Sequence, residues 1–150
     1  MKIVYTNGSN QDFCKLCNLL DDYLNEIVGG EIQRKHYNQY NLLHDIHDVV
    51  LIYEDELPIA CGGFKHYHTG IAEIKRVFVC KEHRGKGVSK ELMRVIEEQA
   101  KSKGYNKLIL ETGAVLIEAM GLYRSLGYHI IPNYGQYADM SQSICMEKNL

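Results

Sequence analysis

The sequence predicts an α/β fold of the α+β kind, a mixed central sheet flanked by helices, and three observations carry that prediction. Helical and strand periodicities succeed one another along the chain, and strands outnumber helices. Hairpin joins between neighbouring strands occur beside strand–helix units, so some strand neighbours should run antiparallel and others parallel. The 150 residues suit one domain, spanning 1–150, and no repeat, linker or low-complexity tract divides them.

Each element has its own signal. Residues 2–6 read as a short strand closed by the turn-prone Asn7-Gly8. Ser9 with Asp12 resembles a helix-opening cap, and Phe13, Leu16, Leu20, Leu24 and Ile27 then recur at helical spacing until Gly29-Gly30. A more polar helical stretch follows within 32–43. Val49-Val50-Leu51-Ile52-Tyr53 is an apolar run of strand length, and Glu54-Asp55-Glu56 turns it into a hairpin with residues 58–65. A third long strand covers 71–80. Residues 88–103 form a helix with Leu92, Val95, Ile96 and Ala100 on one face, stopped by Gly104. A strand at 108–111, a helix at 115–126 stopped by Gly127, a strand at 128–131 halted by Pro132, and a strand at 143–148 complete the chain.

Composition narrows the function classes. Hydrophobic residues make up 45%, charged residues 24%, and the net charge is -2, without the basic footprint of a nucleic-acid binder. No apolar run approaches the roughly 18 residues of a membrane span, and no signal-peptide apolar region follows Met1. Five cysteines, an odd number in a chain able to form a core, argue against a disulfide framework and for a reducing cytoplasm.

The most informative segment is Val77-Phe78-Val79-Cys80-Lys81-Glu82-His83-Arg84-Gly85-Lys86-Gly87-Val88-Ser89. A strand enters a loop carrying two glycines, and a long helix begins at once. The first turn of a helix has N–H groups without internal partners and a partial positive charge, which suits a phosphate. The P-loop pattern fails, because no glycine stands at its spacing before Gly-Lys and no Ser or Thr follows the lysine. The dinucleotide fingerprint fails too, since Gly85-Lys86-Gly87 is followed by Val88-Ser89-Lys90.

Arg84-x-x-Gly87-x-Ser89 closely resembles the pyrophosphate signature of the GNAT superfamily of N-acetyltransferases, with Ser89 in its small final position. The element order resembles that family over nearly the whole chain, as does Leu122-Tyr123-Arg124-Ser125-Leu126-Gly127-Tyr128. Cys61-Gly62-Gly63-Phe64-Lys65, Glu73 to Val79, Leu110 to Gly113 and Pro132 to Tyr137 look like one branch of small bacterial members.

The resemblance implies a mostly antiparallel sheet whose splayed central strands hold acetyl-CoA as co-substrate, with no metal. Val77, Phe78 and Val79 should meet pantetheine, and Arg84, Gly85, Lys86, Gly87, Val88 and Ser89 should cradle the diphosphate. Tyr123 is implied as the general acid, although Leu116 stands where an asparagine often precedes that tyrosine. Glu73 and Glu111 are the two candidates for the base, beside a route through bulk water. Glu73 has a second reading, as an exposed partner of Lys75 or Arg76. The implied partner is a small-molecule amine or another amino-group substrate, neither nucleic acid nor membrane, and a homodimer is compatible. Gln33, Tyr37 and the loop from Asn133 to Tyr137 should face the acceptor.

Other signals are weaker. Cys14-x-x-Cys17 lies in a helical pattern without a second pair at zinc spacing, so buried free thiols are favoured. His44-x-x-His47 and His66-x-His68 lack further ligands nearby, and Cys61 and Cys80 lack a nucleophile motif. The rival from another class is a non-catalytic acyl-CoA-binding or sensing domain on the same fold.

Overall fold

The structure is a computed structural model that describes residues 1–28 and 42–150. Its strands are β1 (Lys2–Thr6), β2 (Asp48–Glu54), β3 (Leu57–His68), β4 (Ile71–Val79), β5 (Lys107–Gly113), β6 (His129–Ile131) and β7 (Ser143–Asn149). Its helices, among the described residues, are α1 (Gln11–Val28), α2 (Val88–Ser102) and α3 (Ile117–Ser125), with short 3-10 turns between elements. The expected helix stop at Gly29-Gly30 and nearly all of the polar stretch expected within 32–43 lie outside the described residues. No described helix is long and apolar enough to cross a membrane.

The strands form one sheet in the order β1-β2-β3-β4-β5-β7-β6. Every pairing is antiparallel except β4 with β5. The expected mixed, mostly antiparallel sheet flanked by helices is therefore present.

The apolar run in β2 is continuous because both faces are covered. Val50 and Ile52 enter the core beneath α2, with Leu92, Met93, Ile96 and Ala100, while Val49 and Leu51 enter a second core with Phe13, Leu16 and Cys17 of α1. The start of α1 differs from expectation by one residue. Asn10, not Ser9, caps it: its Oδ1 accepts the Phe13 N–H at 3.0 Å, while Ser9 donates to Asn7. An Asn side chain one residue before the helix reaches the N3 amide, as capping requires.

Two features of β4 position the site. Opposite β3, Cys61 pairs with Phe78 but Gly63 pairs with Lys75, so β4 carries one extra residue. Arg76 takes it up at φ 62°, a left-handed conformation that costs an L-residue about 1–2 kcal/mol. The bulge reverses the side-chain parity of the strand. Ala72 and Ile74 face the α2 core before it, Val77 and Val79 face that core after it, and Arg76 and Phe78 turn to α1. Gly62 lies opposite, where a Cβ would meet Ile96 Cδ1 at 2.8 Å. The Arg76 guanidinium holds the bend by donating to Cys17 O and Asp21 Oδ1, each at 2.9 Å.

The second feature is a parting of the sheet. β4 and β5 pair only from Ile71–Lys107 to Glu73–Ile109. Beyond that, β4 stays with β3 to Val79, and β5 stays with β7 to Gly113. Right-handed twist and the Arg76 bulge carry the two halves apart. Backbone donors and acceptors facing the gap are thereby left for something other than the neighbouring strand.

Candidate active site

Two cavities lie along this gap. One, of about 390 Å³, is lined by Glu73, Lys75, Glu111, Thr112, Tyr137 and Gln142, with apolar walls from α1 and from the approach to α3. The other, of about 470 Å³, runs past Val77, Phe78 and Val79 to His83, Arg84, Gly85, Val88 and Ser89. Val77, Leu116, Ala119 and Tyr123 belong to the walls of both. The two spaces therefore meet beside Tyr123.

The second cavity contains most of the residues expected to meet a co-substrate. Lys86 and Gly87 do not line it. Gly85 and Gly87 stand at φ 75° and 80°, conformations that glycine adopts at little cost, and a Cβ at either would project into open space. No side chain caps the start of α2 at Gly87. The loop thus presents bare backbone and an uncapped, positively polarised helix end to the cavity, a fit for a phosphate-bearing group. Arg84 contributes more structure than expected. Its Nε donates to Val79 O at 2.9 Å, and its guanidinium lies 4.7 Å from the Tyr23 ring and 5.7 Å from that of Phe78. It ties the loop to both α1 and the end of β4.

The first cavity is polar at one end. Glu73 is 3% exposed, so the reading of it as an exposed partner is corrected. Neighbouring residues on β4 point to opposite faces, and the face of Glu73 is covered by the loop from Tyr134 to Gln142. Tyr134 OH donates to Glu73 Oε2 at 2.7 Å. Lys75, 7% exposed, donates from Nζ to Tyr137 OH at 3.1 Å and stands 3.9 Å from Glu73 Oε1. Burial pushes the Lys75 ammonium below its ordinary pKa, against the opposing pull of Glu73. Glu111 accepts a 2.6 Å hydrogen bond from Ser143 Oγ.

Tyr123 is 8% exposed and packs edge-on against Tyr128, with ring centroids 5.8 Å apart. Burial raises its hydroxyl above the ordinary phenol range, and the charge of Glu111 raises it further. The phenol keeps its proton at neutral pH. An anion formed next to it in the same dry recess is also destabilised, so the proton balance between the two depends on their difference.

Sequence reasoning left some of this out. Tyr134 lies in the loop expected to face the acceptor, but its bond to Glu73 has no signal in the sequence; Ser143 belongs to no motif, and the sequence reads Lys75 only as a charge partner. Strand parity alone would have put Lys75 beside Glu73, two residues away on one face. Asn133 has a different role from the one expected. Its Nδ2 donates to the carbonyls of Tyr137, Met140 and Ser143 at 3.1–3.2 Å, pinning the loop that carries the tyrosines. Gln33 and Tyr37 lie outside the described residues. Cys61 Sγ donates to Arg76 O at 3.3 Å in the core. Among the described residues, no three His, Cys, Asp or Glu side chains converge as metal ligands.

Comparison with known proteins agrees with this architecture. The model for the acetyltransferase (GNAT) family matches residues 14–128. The uncharacterized N-acetyltransferase YsnE of Bacillus subtilis (strain 168) is 36% identical over 98 residues, 64% of either chain. The chain spans less than two-thirds of the length of the curated relatives it matches. A candidate acyl-CoA N-acyltransferase of Klebsiella pneumoniae shares the fold with a TM-score of 0.82 at 24% identity, over 99% of this chain and 97% of its own. A GNAT family acetyltransferase from Elizabethkingia anophelis, solved with acetyl-CoA bound, gives a TM-score of 0.65 at 21% identity over 77% and 82%. With the family model covering most of its length, and the parted sheet and bare-backbone loop in place, the chain belongs to the GNAT acetyltransferase family.

Proposed function

We propose that this chain, acting as one domain, transfers the acetyl group of acetyl-CoA to a primary amine by direct attack in a ternary complex. The observation that supports it best is the meeting of two cavities at Tyr123. One is bordered by free strand edge and bare loop backbone, and the other by buried ionisable side chains.

The unpaired edge of β4 at Val77 to Val79 suits an extended amide-bearing arm, which would add to it as a strand does. The loop from Arg84 to Ser89 and the start of α2 suit the diphosphate. A backbone N–H of β4 would take the negative charge developing on the thioester oxygen, a contribution of about 3 kcal/mol for a fixed donor. Glu73 or Glu111, directly or through water, removes one proton from the acceptor ammonium. The amine nitrogen then bonds to the carbonyl carbon, and the carbon–sulfur bond breaks. Tyr123 gives its proton to the departing sulfur and regains one from the nitrogen. Ammonium and thioester thus become amide, free thiol and one released proton.

Thiol release from acetyl-CoA across a panel of amines, amino acids and lysine peptides tests this reading. Saturable release with at least one acceptor is expected. Tight acetyl-CoA binding with no release on any acceptor would favour the non-catalytic sensing domain instead.

A further inference from the structure

The polar end of the first cavity has more ionic equipment than removal of a proton requires. Lys75 Nζ is buried there in a long ion pair with Glu73, whose Oε1 at 3.9 Å is beyond the reach of a hydrogen bond. Glu73 instead receives the Tyr134 hydroxyl. The bond to Tyr137 OH is the only hydrogen bond of the Lys75 ammonium among the described residues, although an ammonium carries three donors. A buried ammonium whose donors are not all met is costly, and a bound acceptor group close enough to hydrogen-bond would meet them. Glu111 borders the same cavity as Lys75 and Tyr123. The cavity also has an apolar wall, built from Leu20, Leu24, Ile27 and Leu116, which it shares with the second cavity.

We infer that the acceptor is an α-amino acid with an apolar side chain, its carboxylate bound by Lys75 Nζ and its amino group directed to Glu111 and Tyr123. This rests on the acetyl-CoA reading above and adds the class of acceptor to it. The geometry is that of a zwitterion in a recess whose own charges are Glu73, Glu111 and Lys75. The acceptor ammonium offsets the excess of carboxylates, and the acceptor carboxylate completes the lysine. The arriving carboxylate also reverses the cost of burying that ammonium. The product is an N-acetyl amino acid, with free CoA thiol and one proton released.

The test compares matched acceptors in the intact protein: L-leucine against 3-methylbutylamine, and L-phenylalanine against 2-phenylethylamine, each with acetyl-CoA. Loss of a charge-assisted hydrogen bond in a buried site corresponds to roughly 10- to 100-fold. The amino acid should exceed its decarboxylated partner in kcat/KM by that factor. Lys75→Met should erase the gap mainly by raising KM for the amino acid, and Lys75→Arg should restore part of it. Acetyl-CoA binding by each variant serves as the folding control. Equal efficiency for acid and amine in the wild type, or a preference that survives in Lys75→Met, overturns the inference. Turnover of neither member of either pair overturns it as well. Calorimetry then separates the two levels: bound acetyl-CoA leaves the acyl-transfer reading standing with another acceptor, and absent binding takes both down.

Discussion

Replacing Tyr123 by Phe removes one oxygen from the junction of the two cavities, and the structure sets what that should change. The hydroxyl makes no hydrogen bond to a described residue, whereas the ring keeps its edge-on contact with Tyr128 and its place in the α2 core. Stability should therefore move by no more than about 0.5 kcal/mol, the range of substitutions that break no packing or polar network. The affinity for acetyl-CoA should hold within about twofold, because the free β4 edge and the Arg84 to Ser89 loop are untouched. Catalysis should fall, since a positioned acid contributes about 10²–10⁴-fold, or roughly 2.7–5.5 kcal/mol of barrier. The assay is thiol release at saturating acetyl-CoA and acceptor, with urea unfolding and calorimetry on the same preparation. A kcat within about threefold of wild type would refute the acid role. A parallel loss of acetyl-CoA affinity would show that Tyr123 works as a wall instead.

Three further predictions follow from the same geometry. Gly85→Ala should cost about 1–2 kcal/mol in urea unfolding, because Gly85 stands at φ 75°. It should also weaken acetyl-CoA binding about tenfold or more by putting a methyl group into the cavity that Gly85 lines, while Lys86→Ala, outside the cavity wall, weakens it less than about threefold. Arg76→Met leaves Asp21 and the Cys17 carbonyl without the guanidinium that joins α1 to β4, and should cost about 2–4 kcal/mol by the same measurement. Asp21 is partly exposed, which keeps the loss toward the lower end. Tyr123, Tyr128, Tyr134 and Tyr137 all titrate above the ordinary value of 10.0 because they are buried. The folded chain therefore keeps protons that the unfolded chain releases. Their contribution is complete below pH 10.0 and is lost as pH rises through the window above it, by up to about 1.4 kcal/mol per tyrosine per pH unit. Guanidinium unfolding between pH 9 and 11 should show that steep fall, with a shallower one in Tyr128→Phe.

Much of the fold was legible because its signals are local. The β2 run, the helical face of Leu92, Ile96 and Ala100, and the stop at Gly104 each depend on a few neighbouring residues. The Arg84 to Ser89 loop was legible for the same reason, since a strand, glycines and a helix start are adjacent in sequence. The parting of β4 from β5 was accessible only through resemblance, because it depends on where two distant strands stop pairing. The Arg76 bulge had no signal at all: an arginine at positive φ is a conformation that propensity argues against, held by a helix some 55 residues earlier. The Tyr134–Glu73 and Lys75–Tyr137 bonds join residues about 60 positions apart, and no spacing rule reaches that far. The second reading of Glu73, as an exposed partner, fails for a related reason. A charged residue reads as solvated until the loop that covers it is known.

Titration calorimetry of the intact protein with acetyl-CoA, with ATP and NAD as competitors, tests the central claim most directly. Saturable one-to-one binding of acetyl-CoA is expected, weakened by Gly85→Ala, kept by Tyr123→Phe, and displaced by neither nucleotide at comparable concentration. No heat of binding with acetyl-CoA, or equal binding of ATP or NAD at the same loop, would contradict it.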